Sequence, residues 1–186
     1  GQDEEGIQRA ISYQITPAAI FYRRDIAQQV FGTEDPEVIG QYFKDYDTIL
    51  KTGETLKNAG YKIFASEQEM GYFSGESAWV QDGKLVIDQD RKAYMQLCID
   101  LYQNDMTAYV PTWSTTWYQA MSGPIPVIDS STDAWDEEQM EDAAASGKTT
   151  EVFAYGLPSW GVLTMRDNVG DLAGKWGVCA GPADGF

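Results

Sequence analysis

The chain has 186 residues, 43% of them apolar and 13% aromatic, enough for one ordinary globular domain with its own core and too few for two comfortable ones. Thirteen Lys and Arg against 29 Asp and Glu leave a formal charge of −16, the wrong sign for gripping a phosphate backbone or an anionic lipid surface. The complete absence of histidine removes Ser-His-Asp triads, Cys–His dyads and HExxH zinc sites together.

In chain order, residues 7 to 22, IQRAISYQITPAAIFY, predict two short extended runs broken at Thr16-Pro17, because a proline biases its predecessor away from helix. A helix is expected from Asp25 to Phe31 with Gly32 as its stop. Thr33-Glu34-Asp35-Pro36 reads as the entry to another, with Pro36 at the first helical position. Tyr46, Ile49, Leu50, Gly53 and Leu56 keep helical spacing behind an Asp45 cap, and Asn58 to Gly60 ends that helix. YKIFA (61–65) follows as a strand. Helix, glycine, buried strand is the rhythm of an α/β layer.

Glu67 to Gly83 is aromatic and glycine-rich and reads as loop with a helical turn, followed by a brief extended run at 85–87. Asp88 then caps a helix with Tyr94, Leu97, Cys98, Leu101 and Tyr102 on one face. Pro111 breaks the chain, and Trp113 to Met121 predicts a short helix stopped at Ser122-Gly123-Pro124. Residues 124–151 hold eight acidic residues against one lysine. They read as an acidic surface excursion from a single α/β unit spanning 1–186, with one solvated helix from about Asp136 to Ser146. VFAYG (152–156) is a buried strand, Leu157 to Trp160 begins a turn or helix, and KWGVCAGP (175–182) is the last strand. No run approaches the ~18–20 apolar residues of a membrane span. The chain opens on Gly1-Gln2-Asp3 and closes on Gly185-Phe186 with neither signal peptide nor terminal cap, which reads as an internal piece of something longer.

Cys98 and Cys179, 81 positions apart, form no CxxC and no zinc pattern. They could join in one disulfide in an oxidising compartment, but the apolar setting of each favours buried thiols. Among the carboxylates, Glu67, Glu69 and Glu76 in the aromatic loop are the best candidates for a glycosidase-like acid–base pair, though no spacing rule selects two of them. No calcium loop, GxxxxGK[ST] or GxGxxG occurs, so neither a metal nor a cofactor is expected.

The aromatic residues are more informative. Six Trp and eleven Tyr gather partly in segments that read as loops: Tyr72, Phe73 and Trp79; Trp113, Trp117 and Tyr118; Tyr155 and Trp160. Flat rings pack on the apolar C–H faces of sugars, while Glu, Asp, Gln and Ser accept their hydroxyl hydrogens. Glu67, Ser74, Glu76, Trp113, Ser114 and Ser159 supply that mixture. The competing reading is core filling, which suits Trp117, Tyr94 and Tyr102 better. Trp135, in the acidic excursion, reads as incidental.

SYQITPAAIFYRRDIA, DTILKTGETLKNAGYKIFAS, WVQDGKLVIDQDRKAYMQLCIDLYQNDMTAYVPTWSTTWYQAMSG, VFAYGLPSWG and KWGVCAGPADGF, in that order and spacing, resemble a family 1 extracellular solute-binding protein, the sugar-capturing subunit of a bacterial ABC importer. The resemblance covers nearly the whole chain except the acidic excursion. It implies one lobe of a type II periplasmic-binding-protein-like fold, a mixed central sheet flanked by helices, cut from the second lobe of a two-lobe protein. It also implies ligand-binding positions at Tyr13, Gln14, Ser66, Glu67, Trp79, Trp113, Tyr155, Ser159 and Trp160. The implied partners are a mono- or oligosaccharide, the missing N-terminal lobe and the ABC permease subunits, with no nucleic acid. The implied setting is extracellular or cell-surface, lipid-anchored in the parent. A peptide or polyamine is the alternative ligand for this broad fold. A glycoside hydrolase-like enzyme and a free-standing acidic protein-interaction domain remain the readings from other classes.

Overall fold

Strand and helix boundaries follow local chemistry closely through the first third of the chain. In the computed structural model, which describes residues 2–11, 15–75 and 77–183, β1 (Ala18–Arg23) starts directly after Pro17. Its alternation sends Ile20 and Tyr22 into one core and Phe21 into another. α1 (Arg24–Phe31) ends where Gly32 takes a left-handed φ of 74°, a conformation glycine adopts without a Cβ penalty. α2 (Pro36–Gln41) is capped by the Asp35 carboxylate, which accepts the Glu37 N–H. α3 (Tyr46–Asn58) opens with a reciprocal capping box between Asp45 and Thr48.

β2 (Lys62–Phe64) leads into a 3₁₀ turn (Glu69–Phe73), a hairpin of β3 (Val80–Gln81) and β4 (Lys84–Leu85), and α4 (Gln89–Gln103) behind its Asp88 cap. α5 (Thr115–Gln119) precedes β5 (Ile125–Pro126), α6 (Glu137–Ala145) and β6 (Thr149–Thr150). β7 (Val152–Pro158), α7 (Gly161–Asn168) and β8 (Trp176–Cys179) complete the order. The main sheet runs β2-β7-β1-β8, with β1 antiparallel to β7 and β8 and β2 parallel to β7. Every residue of β7 is buried, as a central strand covered on both faces must be. One core holds Ile20, Tyr22, Phe43, Ile49, Leu97 and Phe153, and the other is built on Trp117, Met121, Tyr155, Leu157 and Met165. Arg23, also buried, reaches Asp25 at 2.8 Å and Glu151 at 2.9 Å, tying the end of β1 to the residue before β7.

Several expectations need correction. Residues 7–11 form no strand; a lone bridge joins Gln2 to Gln8, and Ile11 and Ile15 stand exposed. The helix expected from Trp113 begins only at Thr115. Trp113 has φ 70°, in the left-handed region, and Ser114 caps the helix by accepting the Trp117 N–H. The loop before Asp88 contains a two-stranded hairpin, whose tip Asp82-Gly83 carries positive φ at both residues, the geometry that matches strand twist. The acidic excursion is better anchored than its composition suggests: β5 pairs with β6, and Ile125, Ile128 and Ala134 are buried, while α6 itself buries no residue fully. Both cysteines are free thiols. Cys179 is buried, which pushes its thiol up to about 12, whereas Cys98 is only half-buried, its Sγ donating to the Glu67 carbonyl at 3.3 Å.

Phe153 packs against the rings of Tyr22, Phe31 and Phe43 with centroids 6.2, 5.8 and 6.0 Å away. Phe153→Ala leaves a cavity at the centre of the first core and is expected to cost about 3–5 kcal/mol, read as a lower urea midpoint at unchanged slope.

Candidate functional site

Three loops meet at one end of the sheet. The first follows β2 and runs through Ser66, Glu67 and Gln68 into the 3₁₀ turn; the second carries Thr112 and Trp113 ahead of α5; the third leaves β7 through Ser159 and Trp160. They enclose a hollow of about 270 Å³ whose walls include Glu69, Tyr72, Trp113, Trp117, Gly156 and Leu157. Gly156 is required there, because a Cβ at that position would sit 2.3 Å from the Glu69 carbonyl oxygen.

The floor is a buried carboxyl. Glu69 Oε1 accepts the Trp117 Nε1–H at 2.5 Å, and the backbone N–H groups of Gly156 and Ser66 also donate to the carboxyl. Burial pushes its pKa up to about 8, the three donors pull the other way, and the nearby Glu67 charge adds a smaller upward push.

From that floor, aromatic rings climb outward. Tyr155 donates its hydroxyl to the Trp117 carbonyl at 3.0 Å and meets the Trp117 ring edge-on at 5.2 Å. Trp117 lies 4.9 Å from Trp113, Trp113 lies 5.6 Å from Trp160, and Trp160 meets Tyr72 edge-on at 6.0 Å. The inner two rings are wholly buried, whereas Trp113 is 45% and Tyr72 51% exposed. Trp113 holds its position in a left-handed conformation that costs a bulky residue about 1–3 kcal/mol, offset by packing between Trp117 and Trp160.

Of the residues singled out from the sequence, Trp113, Trp160, Ser159 and Glu67 stand on these loops with surface to offer. Tyr155 and Ser66 do not line an open surface. Tyr155 is closed in beneath Trp117, and the Ser66 hydroxyl accepts the Gln68 N–H inside the turn. Trp79 is 56% exposed and lies elsewhere: its ring covers the Arg91 guanidinium at 3.9 Å, beside the β3–β4 hairpin. Tyr13, Gln14 and Glu76 lie outside the described residues. Glu69 was legible only as one carboxylate among several, and Tyr72 only as part of an aromatic stretch. A larger hollow, about 1130 Å³ between α2 and β8, is lined by residues such as Pro36, Gly40, Lys44 and Val178, with no ring to stack on. Among the described residues no cluster of potential metal ligands occurs, and no helix is long and apolar enough to cross a membrane.

No protein-family model matches the chain, and no curated protein matches it. Solved structures do. One described as an extracellular solute-binding protein family 1 aligns with a TM-score of 0.72 at 18% identity, over 98% of this chain and 42% of that one. The galacto-N-biose/lacto-N-biose I-binding protein of an ABC transporter from Bifidobacterium longum, in complex with lacto-N-biose, aligns at 0.59 and 14% identity, over 90% and 36%. An uncharacterised protein from Listeria monocytogenes EGD-e aligns at 0.54 and 15% identity, over 96% and 40%. The chain therefore has the mixed α/β fold of a solute-binding-protein lobe and spans about two fifths of the length of the structures it matches.

A buried carboxyl whose folded pKa lies above its unfolded value stabilises the fold most below the unfolded pKa and loses that contribution as pH rises through the folded one. Glu69 is therefore expected to make unfolding free energy fall between about pH 4.5 and pH 8 and flatten above. Urea titrations across that range on the intact chain and on Glu69→Gln check this: the substitution should remove the slope, and an unchanged slope would assign it to another group.

Proposed function

We propose that this chain is one lobe of a two-lobe solute-binding protein that captures a mono- or oligosaccharide for an ABC importer. The observation that carries the reading is the outward ladder Trp117, Trp113, Trp160 and Tyr72 above the buried Glu69 carboxyl. Exposed ring faces offer stacking area to the C–H face of a pyranose, and fixed acceptors beside them set hydroxyl orientation. The fold likeness to a protein solved with lacto-N-biose supports the same ligand class.

Capture needs no bond chemistry. The sugar meets this wall and the facing lobe only when the two close, so ligand shifts the population toward the closed form, which the permease subunits would recognise. Trp113, Trp160, Ser159 and Glu67 are the contacts expected from this lobe, joined by Tyr13 and Gln14 near the hinge and by Trp79 if the facing lobe reaches it. Tyr155 and Ser66 brace the wall from behind. Such a protein works outside the cell, held at the surface by a lipid anchor in the parent.

In the complete protein, Trp113→Ala and Trp160→Ala are each expected to weaken saccharide binding by about tenfold or more, the equivalent of ~1.4 kcal/mol, with the fold intact by circular dichroism. Calorimetry showing full affinity in both variants would sink the site.

A further inference from the structure

We propose that Phe73 and Gly181 form the contact through which a saccharide on the wall is felt where this lobe joins the rest of the protein, which makes Phe73 a positioning residue for lobe closure. This rests on the two-lobe saccharide reading above and supplies the link between the wall and the closing motion.

The sheet puts wall and junction at one end. Ala18, where β1 begins, pairs with Pro158, where β7 ends, and Ile20 pairs with Cys179, the last residue of β8. β2 runs parallel to β7, so its exit loop opens on the same side. The start of β1, the end of β8 and the three ring-bearing loops therefore share one rim. The chain spans about two fifths of the length of the structures it matches, so on the two-lobe reading the other lobe connects through those two strand ends.

The 3₁₀ turn bridges the two. Tyr72 stands on it with its ring against Trp160, while the next side chain, Phe73, packs on the first core. The turn is held at both ends: the Glu69 carboxyl is met by Trp117, Gly156 and Ser66, and the Ser74 hydroxyl and N–H both donate to the Gly71 carbonyl, at 2.7 and 3.3 Å. The Phe73 ring rests on bare backbone. A Cβ at Gly181 would sit 2.6 Å from both Cε1 and Cζ of that ring, and one at Gly156 would sit 3.5 Å from its Cε2. Gly181 lies two residues past β8, so in a close-packed setting the ring and the strand exit cannot shift independently. The backbone itself does not demand glycine at 181, whose φ is outside the left-handed range; the nearest atoms all belong to the Phe73 ring. A ligand bearing on Tyr72 and Trp160 thus acts on a fixed turn whose inner side bears on the junction, and closure is favoured by whatever state that contact fits best. The simpler reading makes Phe73 a space-filler over a glycine. It accounts for the closeness, and it predicts that changes of size at the pair alter stability and nothing else.

The test uses the intact two-lobe parent and the saccharide that binds it best on an array. G181A drives a methyl group into the ring, and F73L replaces the ring with a smaller branched chain. Each is expected to raise the calorimetric Kd about five- to tenfold and to diminish the fall in radius of gyration that saccharide produces in X-ray scattering. In G181A/F73L the added and removed volumes offset, and both readouts should return to within about twofold of the parent. Thermal melts run alongside, and should G181A fail to fold, F73L and the double variant still decide. Recovery of affinity and closure in the double variant upholds the contact. The proposal is overturned if the folded single variants bind and close as the parent does, changing only in melting temperature, or if the double variant merely sums the two losses. A parent that binds saccharide without compacting sinks this link and leaves the wall standing. If no saccharide binds the parent at all, the saccharide reading fails and takes the link with it.

Discussion

Burying an ionisable carboxyl costs several kcal/mol unless donors meet its oxygens, and Glu69 is met from three directions. Trp117 comes from α5, Gly156 from β7 and Ser66 from the loop after β2, so one side chain fixes how three loops sit relative to one another. The closeness depends on the missing side chain at 156, where any Cβ would collide with the backbone of Glu69. No lysine or arginine contributes to the balance; hydrogen bonds or a bound proton must satisfy the site.

The rings inherit their order from that floor. Trp117 is anchored by its indole N–H on Glu69 and by its carbonyl under the Tyr155 hydroxyl, so its outer face is a fixed base for Trp113. Trp117 is wholly buried while Trp113 and Tyr72 are about half exposed, so the platform is rigid where it meets the core and accessible where it meets solvent. Preorganisation of this kind lowers the ordering cost of binding, since the strain at Trp113 is borne by folding and not by the ligand. On the proposed reading, a sugar on this wall alone would keep half its surface in water, and closure by a facing lobe would complete the site.

The elements legible in the sequence were those decided locally. Gly32, Asp35-Pro36, Asp45 and Asp88 terminate or begin helices through bonds spanning two to four residues, and each behaves as written. Asp82-Gly83 is just as local a signal, but the aromatic and glycine-rich surroundings mask the short alternation on either side. Trp113 and Trp117 share helical spacing without sharing a helix; the left-handed turn at 113 is set by packing, which spacing does not encode. Tyr155 was placed on the right element and the wrong side of it, because a strand buried on both faces has no alternation to distinguish cleft from core. The role of Glu69 depends on Trp117, 48 positions away, and no local pattern distinguishes it from Glu67.

The acidic surplus bears on selectivity in a particular way. Of the eight acids in residues 124–151, only Glu151 pairs with a cation among the described residues. The resulting field would draw any cation to a broad face and speed its arrival, with little preference for one geometry. A neutral sugar gains nothing from that field and loses nothing to it. Its discrimination must come from short-range terms: which ring faces are bare, and which acceptors are unspent and fixed. Bare ring faces are present at the wall of Trp113 and Tyr72, and they are independent of the net charge around them.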